Sequence, residues 1–210
     1  VVVGILWLSG SRTQEPASPA VSGSAAPSAK AGGIVLNEFM ARNKGVYADE
    51  TGAYSDWVEI FNPTANAVDL TGYALSDDDR QLDKWAFPNV SVAPGGYVVV
   101  FLSGRSYTDV DRGIIHATFK LNASGDKIVL SNLAGEIVDG QEFKDMPANK
   151  SFGRSGAEWK LFDRPTPGFE NSDAGYEAFR QSRIIKDPPV LISEVMTSNN
   201  ITLADNNGAY

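Results

Sequence analysis

Short apolar runs bounded by Gly, Pro, Asn, Asp or Ser characterise the chain between residues 34 and 154. The run in APGGYVVVFLSG is continuously apolar, which is typical of a central strand, and DWVEIFN alternates imperfectly, as expected for a strand buried on much of both faces. The pattern predicts nine strands, at Ile34–Met40, Trp57–Asn62, Tyr73–Ser76, Lys84–Phe87, Tyr97–Leu102, Ala117–Leu121, Lys127–Ser131, Ile137–Phe143 and Ser151–Arg154. Short strands spaced about 8–12 residues apart predict an all-β fold, a β-sandwich.

The segment before the first strand has a different composition. Residues 1–12 contain the apolar run VVVGILWL, which is shorter than the roughly 20 residues of a membrane span and is expected to be the remnant of a signal peptide or membrane anchor. Residues 13–33 consist of Ala, Ser, Pro or Gly at 16 of 21 positions. Such a segment has little to bury, so we expect a disordered linker. The predicted domain therefore spans residues 34–171.

The pattern changes again after residue 171. The pattern of residues 172–189 predicts a helical linker. Ser172 or Asp173 is its expected N-cap residue, and two prolines mark its end. Residues 190–210 then align without gaps on residues 34–54, and eight of the 21 positions are identical. The identical pairs are Glu38/Glu194, Met40/Met196, Asn43/Asn199, Ala48/Ala204, Asp49/Asp205, Gly52/Gly208, Ala53/Ala209 and Tyr54/Tyr210. This repeat predicts the truncated start of a second tandem domain.

Charge and cysteine content narrow the possible functions. The formal net charge is −8, and residues 34–171 contain 13 Lys and Arg against 20 Asp and Glu. Because nucleic-acid binding depends on Lys and Arg that neutralise phosphates, we do not expect nucleic acid as a partner. The chain has no cysteine, which excludes disulfides, thiolate nucleophiles and Cys-based zinc sites. We expect no cofactor.

Nine motifs occur in an order that resembles the lamin tail domain, in the form found in secreted and surface proteins of bacteria. They are NEFMARN, ADETGAYSDWVEIFNP, VDLTGYALSDD, KWAFP, APGGYVVVF, FKLNASGDKIVL, VDGQEF, SFGR and PTPGFEN. The resemblance implies an immunoglobulin-like β-sandwich and a non-catalytic interaction module. The residues expected to define the module structurally are Asp49, Gly52, Asp56, Trp57, Asn62, Gly72, Gly95, Gly96, Gly153 and Arg154.

Two acidic segments are candidates for a calcium site. Their carboxylates, hard oxygen ligands of the kind that Ca²⁺ prefers, belong to Asp49, Glu50, Asp56, Asp77, Asp78 and Asp79. The spacing is not that of an EF-hand, and the repeat has Asn at the positions of Glu50 and Thr51. The alternative, which we favour, is a structural turn in which Asp49 accepts backbone N–H bonds and Gly52 adopts a positive φ.

Catalytic arrangements have little support. Asp56 and Glu59 are three residues apart, which on a strand places them on opposite faces, and no second acidic strand is identifiable as a partner. His116 is the single histidine; without a GxSxG motif we expect it at a strand edge and not in a catalytic triad. We expect Trp57 and Trp85 in the core, and Arg154 in an ion pair with a carboxylate such as Asp56.

The favoured function is a non-catalytic interaction or scaffolding module of a membrane-anchored or secreted bacterial surface protein, with an extracytoplasmic location. Its expected partners are a protein or polysaccharide at the cell surface and, through the N-terminal segment, the membrane. One alternative is an accessory domain of a larger enzyme, with a spore-coat-H-type kinase-like, nuclease or hydrolase domain beyond residue 210. Another is a calcium-dependent carbohydrate-binding module.

Overall fold

The computed structural model describes residues 33–184, which form two packed β-sheets, a small third sheet and one helix. The elements are β1 (Val35–Met40), β2 (Asp56–Phe61), β3 (Val68–Asp69), β4 (Ala74–Ser76), β5 (Trp85–Ala86), β6 (Ser91–Val92), β7 (Tyr97–Leu102), β8 (Tyr107–Asp109), β9 (Ile114–Ala117), β10 (Gly125–Ser131), β11 (Ile137–Lys144), β12 (Ser151–Ser155), β13 (Glu158–Phe162) and α1 (Asp173–Ser182). The predicted all-β, immunoglobulin-like sandwich is confirmed.

The larger sheet has seven strands in the order β13-β12-β1-β2-β7-β9-β8. Neighbouring strands are antiparallel except for β7 and β9, which are parallel. The smaller sheet has four strands in the order β11-β10-β4-β5, and β3 pairs with β6 in a two-stranded sheet. Sets of two or three consecutive strands therefore share a sheet, and the chain crosses between the two large sheets from one set to the next, as in a sandwich.

The main core lies between the two large sheets. The larger sheet contributes side chains such as Phe39, Val58 and Val100, and the smaller sheet contributes Leu75 and Ile128, all buried together in one cluster. These residues are apolar at the inward positions of each strand, and their burial supplies the main stabilisation of the fold. Trp57 belongs to a second, smaller cluster with Met40 and Phe101 on the other face of the larger sheet.

Several predicted strands need correction. β3, β6, β8 and β13 were not predicted, because the first three have only two or three residues and β13 lies in the charged stretch EWKLF. The strand predicted at Ala117–Leu121 instead begins and ends earlier, as β9. The remaining predictions overlap observed strands.

The helical linker begins as predicted. Ser172 is the N-cap residue, and its Oγ accepts a hydrogen bond of 3.0 Å from the Gly175 N–H. Helix α1 buries Phe179, whose ring lies 5.7 Å from that of Tyr47. No helix within residues 33–184 is long and apolar enough to cross a membrane. The predictions for residues 1–32, the end of the linker and the repeat at 190–210 lie outside the described residues.

Candidate functional site

The face of the seven-stranded sheet that points away from the main core carries the candidate site. Here Glu38 of β1 pairs in register with Glu59 of β2, while their neighbours Phe39 and Val58 point into the core. The register shifts between Leu36 and Glu38, which is a β-bulge. In a regular strand, residues 36 and 38 would point to the same face. Because of the bulge, Leu36 points into the core and Glu38 points away from it.

A segment that we call the C-terminal strap, residues 163–171, crosses this face and binds both glutamates. Glu38 accepts hydrogen bonds from the Thr166 backbone N–H at 3.0 Å, from Thr166 Oγ1 at 2.9 Å and from Ser151 Oγ. Glu59 accepts from the Gly168 N–H and, at 2.7 Å, from Asn37 Nδ2. Both carboxylates are completely buried, so the strap and the sheet are joined by a buried polar network.

The environment raises the pKa of both carboxyl groups. Burial raises the pKa of Glu38 to about 7, although hydrogen bonds from Ser151 and Thr166 act in the opposite direction. Burial and the neighbouring Glu38 raise the pKa of Glu59 well above its ordinary value. The expectation that no second acidic strand accompanies β2 is therefore wrong: β1 supplies Glu38.

Gly153 provides the space that the strap needs. It pairs with Glu38 across β1 and β12, and a Cβ atom at Gly153 would lie 2.7 Å from Asn171 Nδ2. Asn171 Nδ2 donates to the carbonyl groups of Asn37 and Arg154, at 3.1 and 2.9 Å. The SFGR and PTPGFEN motifs thus meet at one place, where Ser151 and Gly153 receive the strap.

The turn that follows β1 has the predicted geometry. Asp49 Oδ1 accepts hydrogen bonds from the Thr51 N–H at 2.9 Å, Thr51 Oγ1 at 2.7 Å and the Ala53 N–H at 3.0 Å. Gly52 has φ +83° and donates its N–H to the Asp49 carbonyl at 3.0 Å. Asp49 therefore closes the turn through its own side chain, which is the arrangement of an Asx-turn.

A second polar cluster joins this turn to the far strands of the sheet. Arg105 Nη2 lies 2.9 Å from Asp49 Oδ2, 3.2 Å from Glu50 Oε1 and 3.1 Å from His116 Nε2. His116 also contacts Glu50 Oε2 at 2.8 Å and Ser103 Oγ at 2.9 Å. The prediction of a strand-edge histidine is wrong, because His116 is fully buried in β9, between β7 and β8.

The same cluster could in principle hold a metal ion. One ligand atom from each of Asp49, Glu50 and His116 lies within 4.8 Å of the others. The Arg105 guanidinium lies among these atoms, so a metal would have to displace an existing cation. Burial raises the pKa of Asp49, but the hydrogen bonds from Thr51 and Ala53, together with Arg105, lower it by more. The donors fit an internal ion-pair cluster.

The other calcium candidates also contact groups of the protein. Asp77 pairs with Lys84, Asp78 Oδ1 with Arg80 Nε at 3.0 Å, and Asp79 Oδ2 with Lys127 Nζ at 2.7 Å. Asp56 Oδ2 accepts a 3.4 Å hydrogen bond from the Leu121 N–H, and burial raises its pKa to about 6. The structure does not bring Asp56 into the cluster of Asp49 and Glu50. A calcium site stays a prediction.

Arg154 does not pair with Asp56, contrary to the prediction. Its Nη2 donates to both oxygens of Asp139 in β11, at 2.7 and 2.6 Å, and its Nε donates to the Leu36 carbonyl at 2.7 Å. Asp139 also accepts from the Leu36 N–H at 2.9 Å. Arg154 therefore ties β12 and β1 to the opposite sheet, close to where β1 bulges.

The other residues expected to be structural lie in turns. Asn62, completely buried, donates from Nδ2 to the Asn66 and Val92 carbonyl groups at 2.8 and 2.9 Å. A Cβ atom at Gly96 would lie 2.9 Å from the Ala93 carbonyl oxygen. Gly72 and Gly95 adopt φ values of +87° and +66°. These contacts hold the loops at the ends of β2 and β7 together.

Most large aromatic side chains are in the core, but two line an open groove. Trp57 is completely buried and Trp85 is 9% exposed, which confirms both as core residues. The rings of Phe61 and Tyr97 stack at 4.7 Å beside a groove of about 630 Å³, which Arg154 and Glu170 also line. This groove is an open surface that a ligand could contact.

Sequence analysis did not identify the residues that bind the strap. Glu38, Thr166 and Asn171 are distant in sequence, and their contacts depend on the bulge at Asn37. One signal was present: Glu38 is identical to Glu194 in the repeat, at a position where a buried strand would otherwise take an apolar residue.

The fold and these contacts define an immunoglobulin-like domain whose polar residues mostly hold its own segments together. A sequence profile of the lamin tail domain family matches residues 27–145, more than half of the chain. The chain therefore belongs to the lamin tail domain family, a family of non-catalytic immunoglobulin-like domains. No curated protein gives a match to the chain.

Proposed function

We propose that this domain is a non-catalytic interaction and scaffolding module of a membrane-anchored or secreted bacterial surface protein. Its ligand is a protein or a polysaccharide at the cell surface. The family supports an interaction domain, and the apolar segment at residues 1–12, the Ala/Ser/Pro/Gly linker and the repeat at 190–210 support an anchored tandem arrangement.

One observation carries the proposal. The twelve buried polar or charged residues of the described part all make side-chain hydrogen bonds within the protein, most of which join loops, strands and the strap. In that part, the indole N–H of Trp57 is the one buried side-chain polar atom without a partner. A catalytic site needs polar groups free to act on a substrate. These groups are committed to structure, which favours a binding role for the surface.

The groove beside Phe61 and Tyr97 is the proposed contact surface. Its stacked rings offer an apolar face, while Glu170, which makes no salt bridge with any of residues 33–184, offers hydrogen-bond acceptors. Aromatic faces combined with a few polar groups are the usual composition of a ligand site. The volume of about 630 Å³ is sufficient for a short peptide segment or a few sugar units.

Two measurements test the proposal. An antibody against the domain should label intact host cells, and the 210-residue chain should bind isolated cell-envelope polysaccharide or a defined surface protein. Tyr97→Ala should weaken that binding about tenfold or more, because it removes one of the two stacked rings. Tyr54→Ala, at a tyrosine 49% exposed outside the groove, is the matched control and should leave binding unchanged. Labelling only after lysis, or equal binding by both variants, would contradict the proposal.

A further inference from the structure

The hydrogen-bond network under the strap lacks one hydrogen if Glu38 is ionised. Thr166 Oγ1 lies 2.9 Å from Glu38 Oε2 and also 2.9 Å from Asn171 Oδ1. A hydroxyl group has one hydrogen and can donate it to only one of these oxygens. If Glu38 is ionised, Thr166 Oγ1 therefore either faces one of these two oxygens with no hydrogen between them, or shares its single hydrogen between both.

The orientation of Asn171 cannot remove this conflict. Its Nδ2 donates to two backbone carbonyl groups, those of Asn37 and Arg154, so its Oδ1 must be the atom beside Thr166. A proton on Glu38 Oε2 resolves the network: Glu38 donates to Thr166 Oγ1, and Thr166 Oγ1 donates to Asn171. The remaining oxygen of Glu38 still accepts from Ser151 and the Thr166 N–H.

The groups around Glu38 add no positive charge. Glu59 of β2 faces it in register, Tyr97 of β7 and Tyr47 of the first loop lie beside Glu59, and the strap contributes Glu170 near Tyr97. The cations of the flanking segments contact other groups: Arg154 pairs with Asp139, Lys150 with Asp163, Arg164 with Asp173 and Arg180 with Glu177, Lys160 donates to Ser155 Oγ, and Arg183 lies over the Tyr47 ring. Nothing in this part of the described chain compensates a carboxylate at position 38.

We propose that the C-terminal strap is a proton-dependent latch, closed on the sheet while Glu38 carries a proton and released when that proton is lost. The geometry favours the proton: Asn171 Oδ1 also accepts from Asn37 Nδ2 at 3.3 Å, but both 2.9 Å contacts of Thr166 Oγ1 become full hydrogen bonds only when Glu38 is protonated. The raised pKa of Glu38, about 7, places the loss of this proton near neutral pH. Release frees Thr166 and Gly168 from the sheet and uncovers the row of Glu38 and Glu59.

Hydrogen exchange of the full 210-residue chain tests the latch. Peptides covering residues 163–171 are compared between about pH 5.5 and about pH 8.5, after correction for the intrinsic exchange rates. If Glu38 regains its ordinary pKa of 4.5 in the open form, linkage predicts that the opening constant of the strap rises about 30-fold over this range. Peptides from β10 should not show this increase.

Glu38→Gln separates a proton-dependent latch from a merely structural contact. The Gln side-chain amide can donate to Thr166 Oγ1 as a protonated carboxyl would, so the strap of this variant should stay closed with no pH dependence. Glu158→Gln, at an exposed glutamate of β13 outside the strap, should keep the wild-type response. Strap exchange in the wild type that stays constant with pH would overturn the proposal even if Glu38→Gln fails to fold, and so would an equal response in Glu38→Gln.

Discussion

Two carboxylate clusters on the same sheet show how a neighbouring cation changes a buried acid. Asp49 and Glu50 lie beside Arg105 and His116, and the pKa of each acid is lowered despite the opposing effect of burial. Glu38 and Glu59 have hydrogen-bond donors but no cation, and burial raises the pKa of both. Hydrogen bonds and neighbouring cations therefore outweigh burial in the first cluster, while burial outweighs the hydrogen bonds in the second.

The difference also separates the roles of the clusters. The Arg105 cluster fixes an early loop to β9 through the ion pairs of Arg105 with Asp49 and Glu50, the two acids whose pKa values are lowered. The Glu38–Glu59 pair fixes the C-terminal strap through hydrogen bonds that depend on a proton. Trp57 lies between the two clusters on the outer face, since it pairs with Met40 on one side and with Phe101, which stacks on His116, on the other.

The largest effect is expected at this shared tryptophan. Trp57→Ala removes a completely buried indole and should lower the free energy of unfolding by about 3–5 kcal/mol. Chemical denaturation of the purified variant measures the loss, and Leu133→Ala, at a side chain 84% exposed, is the control that should change little. A Trp57→Ala variant that melts within a couple of degrees of the parent would refute its place in the core.

The second effect concerns pH. Because the pKa of Glu38 rises from 4.5 to about 7 on folding, the folded state binds its proton more tightly than the unfolded state. This stabilisation is complete below about pH 4.5 and is lost as the pH rises through about 7, a change on the order of 3 kcal/mol. Denaturation at a series of pH values should show the loss in the wild type relative to Glu38→Gln; parallel curves would contradict it. The comparison is needed because Asp56, with a pKa near 6, contributes a loss of the same sign.

A smaller effect should follow from Gly153→Ala. The added methyl group would approach Asn171 Nδ2 to 2.7 Å and Glu38 Cγ to 3.2 Å, so the strap must shift. We expect a loss of about 1–3 kcal/mol and faster hydrogen exchange in the strap. Gly156→Ala is the control, because Gly156 has φ +66° and its Cβ would meet nothing within 4 Å. This variant introduces backbone strain without a steric clash, so its strap exchange should stay unchanged. Unchanged strap exchange in Gly153→Ala would contradict the account of this position.

The smallest effect is expected from Arg105→Gln. The arginine side chain is 41% exposed, so its ion pairs are partly screened, and we expect a loss of roughly 1 kcal/mol near neutral pH. The loss should diminish as the pH falls below about 4, because Asp49, whose pKa is lowered from 3.8, then begins to take up a proton and lose its charge. Lys120→Gln, which removes a positive charge outside the cluster, is the control. An Arg105→Gln loss that is constant with pH would show that charge is not what holds the cluster.

Local patterns were sufficient for the architecture. The apolar runs predicted the sandwich and most strands, Trp57 was recognised from its apolar neighbours, and the spacing of Asp49 and Gly52 predicted their turn. Each of these features is decided by residues within a few positions of one another. The same kind of reasoning reached the helix cap at Ser172.

The candidate site could not be predicted in the same way. The bulge at Asn37 reverses the alternation in β1, so the periodicity places Glu38 on the wrong face. Its partner Thr166 is 128 residues away, and Arg154 and His116 likewise find partners that no spacing identifies. Only the identity of Glu38 and Glu194 pointed to this position, and it did not show what the glutamate binds.

The most direct test of the account is a carbon-13 NMR titration of the glutamate side-chain carboxyl groups, with Glu38→Gln used to assign the Glu38 signal. The account predicts that Glu38 titrates near pH 7 in the folded chain, while Glu50, which lies beside Arg105 and His116, titrates below its ordinary value of 4.5. A Glu38 signal that titrates near 4.5 would show an ionised carboxylate under the strap, and it would contradict both the protonated network and the contrast between the two clusters.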